Sequence, residues 1–306
     1  MKIATRGSAL ALWQANHVRD RLRAADPDLA VDLVVIRTRG DRILDVPLAK
    51  VGGKGLFVKE IEQALLDGRA DLAVHSMKDV PADLEAGLAL AAISERADPF
   101  DALVSRDGVR LDALPPGATV GTSSLRRQCQ LRALRPDVTV VPLRGNVDTR
   151  LRKLDDGLFD AIVLASAGLV RLGHADRIVE RLAPPAFLPA IAQGALGVET
   201  RADDADTIRR VRAALHCESD ARRVRAERAV MARLDGGCQT PIAAFARLAG
   251  DALELSALVA TPDGREVIRA DRTGSSSEPE ALGVAVAEEL LARGADRILA
   301  ACRAAG

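Results

Sequence analysis

The apolar positions alternate in short runs, then recur at helical spacing, and this happens twice along the first two thirds of the chain. Residues 2–6 read as a short strand. Gly7 and Ser8 turn it into a helix over 9–25, with Leu10, Trp13, Val18 and Leu22 as its apolar stripe and Ser8 as its cap. Apolar runs at 31–38 and 71–76 predict two further strands, with a helix over 57–66 between them. The last of these strands runs into Met77, Lys78 and Asp79, and Pro81 stops any helix there. From Pro99 the plan repeats. Residues 119–124 enter a helix over 125–134, and 160–166 echo 71–76. Residues 191–199 read as a crossover strand that carries the chain back to its first part. The final third changes character: a long charged helix over 218–234, strands near 242–249, 252–261 and 265–273, and closing helices over 278–293 and 296–304. Pro262-Asp263-Gly264 turns the chain between the last two strands.

This pattern predicts an α/β fold of two hinged βα lobes, like those of periplasmic binding proteins, plus a small C-terminal α+β domain with an antiparallel sheet. The expected boundaries are 1–94 with 195–214 for the first lobe, 95–194 for the second and 215–306 for the third domain. Strand-to-helix turns in both lobes would aim helix N-termini, which favour anions, at a shared cleft.

Composition narrows the function. The 306 residues carry 43 basic and 43 acidic side chains, a balance that argues against a nucleic-acid or membrane-surface partner. The basic residues are 37 Arg and only 6 Lys, so their positions matter more than their number. Cys129, Cys217, Cys238 and Cys302 show no CxxC or disulfide-framework spacing, and the four histidines form no ligand pair, so no metal site is expected. No secretory segment follows Met1-Lys2 and no apolar run has membrane-spanning length. A monomeric, cytoplasmic protein is the expectation.

The candidate chemistry lies at the strand ends. Arg6 and Ser8 flank the first turn. Lys50 and Lys54 thread the glycines of a loop at 50–57 that does not match a phosphate-binding P-loop. Ser76, Lys78 and Asp79 stand at the carboxyl end of a strand, the edge where open α/β sheets bind ligands. In the second lobe, Thr122 and Ser124 precede Arg126 and Arg127, two cations in a first helical turn where the helix dipole disfavours them. Arg144, Asn146 and Arg150 follow another strand, and Arg171 follows a short helix. Guanidinium groups so placed bind carboxylates bidentately, and their number implies a ligand with many carboxylates. Finally, Leu234-Asp235-Gly236-Gly237-Cys238-Gln239-Thr240-Pro241 sets a thiol on a glycine-freed bend between a helix and a strand. A small buried residue filling a turn is the other reading of that cysteine. A receptor-like two-lobe anion-binding protein without catalysis would use the same plan, and a Schiff-base enzyme could use Lys78 on a carbonyl substrate.

Taken together, Arg6-Gly7-Ser8, VGGKGLF at 51–57, AVHSMKDVP at 73–81, GTSSLRRQCQL at 121–131, LRGNVDTRL at 143–151 and LDGGCQTPI at 234–242 resemble the porphobilinogen deaminases, also called hydroxymethylbilane synthases. The resemblance covers essentially the whole chain in order. It implies a transferase of porphyrin and heme biosynthesis that condenses four porphobilinogen molecules head to tail, releasing ammonia each time. It further implies a dipyrromethane cofactor held through a thioether to Cys238, with Asp79 as the catalytic carboxylate. By the same resemblance Arg6, Arg126, Arg127, Arg144, Arg150 and Arg171 hold acetate and propionate groups. Ser8, Lys50, Lys54, Ser76, Lys78, Thr122, Ser124, Asn146 and Gln193 line the cofactor and substrate cleft. Two positions depart from the family pattern: Ala192 stands where a glycine is expected, and Ser166 where valine is common.

Overall fold

The computed structural model describes residues 1–38, 58–236 and 240–304. In chain order it begins with β1 (Lys2–Thr5), α1 (Ala9–Ala25), β2 (Asp32–Val35), α2 (Lys59–Leu66), β3 (Leu72–Ser76) and β4 (Leu88–Ile93). There follow β5 (Asp101–Ser105), β6 (Thr119–Gly121), α3 (Leu125–Leu134), β7 (Thr139–Val141), α4 (Val147–Asp155), β8 (Ala161–Ala165), α5 (Ser166–Arg171) and β9 (Glu180–Leu182). The last part holds β10 (Leu196–Arg201), α6 (Ala205–Leu215), α7 (Glu218–Arg233), β11 (Ile242–Ala249), β12 (Ala252–Ala260), β13 (Val267–Ser275), α8 (Pro279–Ala292) and α9 (Ala295–Ala304).

These elements form two compact units, 1–97 with 195–221 and 98–194 with 222–306. The first holds a five-stranded sheet in the order β2-β1-β3-β10-β4, in which β1 pairs parallel with both β2 and β3 while β10 runs antiparallel to its neighbours. The second repeats the plan as β7-β6-β8-β5-β9, with β6 parallel to β7 and β8 and with β5 reversed. Both sheets bury both faces, so their strands alternate in destination rather than in polarity. Ile3, Leu72 and Val74 pack with Ala15, Val18 and Leu22 of α1, whereas Ala4 and Ala73 pack with Ile61, Ala64 and Leu65 of α2. In the second sheet, Leu103, Val120 and Val163 join Leu131 of α3, while Val104, Ile162 and Leu164 join Leu151 and Leu154 of α4.

The helix over 9–25 forms as the sequence predicts, with the Ser8 Oγ accepting from the Ala11 N–H at 3.3 Å. Its buried face is rotated from the expected stripe and consists of Gln14, Ala15, Val18 and Leu22. Leu10 and Trp13 are only half-buried, and Trp13 stacks on His17 one turn along, with ring centroids 5.2 Å apart. The crossover strand begins later than expected, at Leu196. Residues 191–194 form turns in the second unit instead.

The C-terminal sheet runs in the order β11-β12-β13, all antiparallel, and belongs to the second unit. Ala243, Leu258 and Ala260 bury against Cys129 and Leu188 of the second lobe, and the Phe245 and Phe100 rings lie 5.6 Å apart. The hairpin turn at Gly264 seats on α3, where the Arg132 Nη1 donates to the Pro262 carbonyl at 2.6 Å.

Candidate functional site

In the first unit a pocket opens at the carboxyl ends of β1 and β3. Arg6, Ser8, Gln14, His75, Ser76 and Asp79 supply its polar lining, and Val58, Ile61 and Val74 are among its apolar residues. Two of its features, a helix N-terminus and a guanidinium, suit an anion. The N-terminus of α1 carries no acidic residue in its first turn, so its free N–H groups and positive dipole end are uncompensated by the helix itself, and Arg6 stands beside it. Across the pocket, β3 ends in a single 3-10 turn, Met77–Asp79. That turn buries Met77, half-buries Lys78 and leaves Asp79 exposed. Pro81 is the reason the turn cannot grow into a helix. Ser76 accepts a 2.8 Å hydrogen bond from the Gln14 amide, which ties α1 to the end of β3. His75 does not turn to Asp79 for its partner. Its Nε2 lies 3.0 Å from Oε2 of the buried Glu199.

In the second unit the arginines of α3 are not free cations on a helix end. Arg126 and Arg127 are only 5% and 6% exposed, and both bind Asp101 of β5, which is 0% exposed. The Arg126 Nη1 donates to Oδ2 at 2.7 Å, and the Arg127 Nη2 and Nε donate to Oδ1 at 2.6 and 3.0 Å. Arg126 also donates to the Leu188 carbonyl and Arg127 to that of Val163, each at 2.9 Å. Burial alone would push the Asp101 carboxyl up, but the two guanidiniums together outweigh it and hold the group well below the usual carboxylate range. Gln193 joins the same carboxylate at 3.1 Å and the Pro99 carbonyl at 2.8 Å. The dipole penalty on two cations in a first helical turn is therefore met by a buried counter-ion. One unit of positive charge remains on the trio.

The remaining positions fall into local groups. Thr122 is buried at the end of β6, where its Oγ1 accepts from the Ser124 N–H at 3.2 Å. The Ser124 side chain makes no capping bond to α3. Asn146 caps α4 by accepting from the Thr149 N–H at 2.8 Å, and the Arg150 Nε donates to the Gly145 carbonyl at 2.7 Å. The Arg144 carbonyl accepts from Lys153. Arg171, at the end of α5, donates to the Gly194 carbonyl at 2.7 Å, and burial pushes its pKa down to about 10. Lys50, Lys54 and Cys238 lie outside the described residues. Of the other cysteines, burial raises the Cys129 thiol to about 11, which makes it a poor nucleophile.

Gln14, Asp101 and Glu199 were not singled out by sequence reasoning. Each nonetheless carries a signal, as a single polar residue inside an otherwise apolar stretch: Gln14 on the buried stripe of α1, Asp101 at the head of β5, Glu199 within β10. Among the described residues no His, Cys, Asp and Glu cluster could hold a metal ion, and no helix is long and apolar enough to cross a membrane.

The fold is that of an α/β protein of two βα lobes and a C-terminal three-stranded sheet domain, with one guanidinium and one helix N-terminus at the pocket of the first unit. Residues 1–209 match the family model described as porphobilinogen deaminase, dipyromethane cofactor binding domain, and residues 221–292 match porphobilinogen deaminase, C-terminal domain. The chain belongs to the porphobilinogen deaminase family. Its activity is that of a hydroxymethylbilane synthase, a transferase that condenses porphobilinogen in tetrapyrrole synthesis, and it uses a dipyrromethane cofactor. Similar solved structures include the periplasmic VFT2 domain of Bordetella pertussis BvgS, at 19% identity over 70% of this chain and 86% of that one, with a TM-score of 0.43. The second substrate binding domain of a putative amino acid ABC transporter from Streptococcus pneumoniae matches at 11% identity over 70% and 90%, with a TM-score of 0.44. YhfZ from Shigella flexneri matches at 20% identity over 70% and 89%, with a TM-score of 0.37.

Proposed function

We propose that the pocket bounded by Arg6, Ser8, Ser76 and Asp79 is where pyrrole rings are coupled. The observation that carries this reading is the pairing of chemistries in one cavity. A guanidinium and an open helix N-terminus suit a carboxylate substituent, and an exposed carboxylate suits a cationic ring. The donor set fits a dipyrromethane, whose two pyrrole units each carry an acetate and a propionate. When bound, that cofactor supplies the free pyrrole carbon from which the product chain grows.

The chain's own residues do the rest. Arg6, Arg126, Arg127, Arg144, Arg150 and Arg171 hold the acetates and propionates, with Asp101 fixing the two guanidiniums of α3. Ser8, Lys78, Thr122, Ser124, Asn146 and Gln193 line the binding surface, together with Lys50 and Lys54. Asp79, open to the pocket, accepts hydrogen bonds from pyrrole N–H groups. It stabilises the positive charge that develops when ammonia leaves, and it helps to move the proton lost on coupling. Cys238 carries the thioether, so successive additions remain intramolecular. Residues 215–306 act as the domain that presents this thiol, and 1–94 with 195–214 and 95–194 are the two lobes. The protein works as a cytoplasmic monomer on a small-molecule substrate, with no nucleic-acid partner.

The test is the intact mass of the purified protein beside a Cys238→Ser variant. The expected result is a wild-type excess of two porphobilinogen units less two ammonias, absent from the variant. A wild-type protein that gains no such mass even after incubation with porphobilinogen would overturn the assignment of Cys238.

A further inference from the structure

Behind the pocket lies a group of buried ionisable side chains that the reading above does not use. The antiparallel register of β3 and β10 sets His75 opposite Gly197 and Ala73 opposite Glu199. His75 and Glu199 are therefore diagonal neighbours on one face of the sheet, within reach of each other's side chains. The face is the one that α2 covers, since Ala73 packs there with Ile61 and Leu65. From α2 comes a third member, Glu62. Exposures of 6% for His75, 1% for Glu199 and 6% for Glu62 leave the cluster almost without water. His75 Nε2 meets Glu199 Oε2 at 3.0 Å, and Glu199 Oε1 has no hydrogen-bond partner among the described residues. Further charges facing Glu62 are Lys59 on α2 and Glu85 ahead of β4. Arg6 and Asp79 lie on the pocket side with His75.

The two carboxylates share one imidazole: His75 hydrogen-bonds Glu199, while Glu62 faces the charge of Glu199 from an almost dry position, with Lys59 as the cation on its own helix. Burial first, and then the charge of Glu199, push the Glu62 carboxyl above its ordinary value, with His75 offsetting part of this. Meanwhile His75 is also part of the pocket wall, beside Ser76 and Asp79. It is thus shared between the coupling site and the buried carboxylates.

In each cycle the C–N bond of a substrate aminomethyl group breaks and its electron pair leaves with ammonia, the free pyrrole carbon forms a C–C bond to the cationic ring so made, and that carbon's C–H bond then breaks, returning its electron pair to the ring and releasing one proton. We propose that His75, Glu199 and Glu62 form a buried proton-holding unit behind the pocket, taking up the coupling proton through His75 and passing it to the ammonia already expelled in that cycle, which leaves as ammonium. Protons and charge balance over the cycle, and no other reactant is needed. Glu199 acts as a positioning residue for the imidazole, and Glu62 keeps the second carboxyl neutral. This rests on the reading of the pocket as the coupling site.

The experiment uses cofactor-loaded wild-type, Glu62→Gln and Glu199→Gln proteins, each checked for its cofactor by intact mass. Infrared difference spectra should give the wild type a protonated carboxylic-acid carbonyl band at pH 7 that Glu62→Gln lacks, since the amide copies the neutral acid. Glu199→Gln should keep KM, lower kcat by at least about tenfold at neutral pH, and displace one limb of the kcat–pH profile. Absence of a band assignable to Glu62 would overturn the proposal, as would a folded, loaded Glu199→Gln enzyme with the wild-type profile. If Glu199→Gln does not fold, the Glu62 band decides alone. A variant that folds but carries no cofactor would instead count against the pocket as the coupling site.

Discussion

The Arg127 guanidinium lies 2.6 Å from the Asp101 carboxylate, across the step from α3 to β5, and Arg126 reaches the other oxygen of the same group at 2.7 Å. One buried anion thus holds two consecutive cations of a helix whose dipole repels them. Removing one partner of a buried ion pair strands the other charge, at a cost of roughly 3–5 kcal/mol. Asp101→Asn should lose about that much stability in urea titrations at pH 7. The pH dependence has a definite sign. A carboxyl held below its unfolded value of 3.8 contributes stability above that pH, and the contribution is lost as pH falls through the lower folded value. The gap between wild type and Asp101→Asn should therefore be full at neutral pH and narrow as the pH drops below 3.8. A gap that does not change with pH would mean that Asp101 is not the counter-ion described.

The two departures from the family pattern should each carry a stability cost. Ala192 adopts φ 59°, a left-handed conformation that costs a residue with a Cβ about 1–2 kcal/mol, and its N–H is fixed by a 2.6 Å bond to Oε2 of the buried Glu227. Ala192→Gly should raise the thermal midpoint, the relief exceeding the added chain entropy. Ser166 is fully buried at the start of α5, and its hydroxyl has no hydrogen-bond partner among the described residues. Ser166→Ala should stabilise by about 1 kcal/mol, the scale of an unpaired buried hydroxyl. Calorimetry on both variants checks this, and a lowered midpoint in either would contradict it.

The C-terminal hairpin and the arginine helix should be energetically linked through Gly264. Its φ is 72°, and a methyl group there would lie 2.5 Å from the Cys129 carbonyl oxygen and 2.7 Å from the Ala133 nitrogen. Both obstacles are backbone and cannot rotate away. Gly264→Ala should destabilise by about 2–4 kcal/mol, combining a left-handed alanine with overpacking. Hydrogen exchange should show the loss of protection in α3 as well as in β12 and β13. Protection lost only in the hairpin would show that the contact does not couple the two.

Local signals in the sequence located elements well, and nonlocal pairing decided the rest. Ser8 marks the start of α1 because a cap acts on the next three residues, and the helix over 125–134 likewise matches α3. The arginines of α3 were legible as cations out of place. Their partner was not, because Asp101 lies 25 residues from Arg126 and reaches it only through the order of the second sheet. The apolar stripe of α1 was misplaced for a similar reason. Trp13 finds a partner in His17 on its own helix, while Gln14 is drawn inward by Ser76, 62 residues away. His75 stands four residues before Asp79, yet period-2 geometry and the β10 register give its side chain to Glu199.

Asp79 offers the sharpest test of the proposed chemistry, because its position separates folding from function. The side chain is exposed at the end of a 3-10 turn whose anchor is the buried Met77, so an isosteric change there removes no core contact. Asp79→Asn should fold with an unchanged thermal midpoint and carry its cofactor. It keeps a hydrogen-bonding carbonyl but loses the charge that opposes a developing cation, and it can no longer accept a proton. Loss of a positioned proton-transfer group of this kind costs about 10²–10⁴ in rate. Single-turnover measurements with porphobilinogen should show that fall in kcat with KM little changed. Wild-type turnover in a loaded Asp79→Asn enzyme would remove Asp79 from the reaction and move the search for the carboxylate elsewhere.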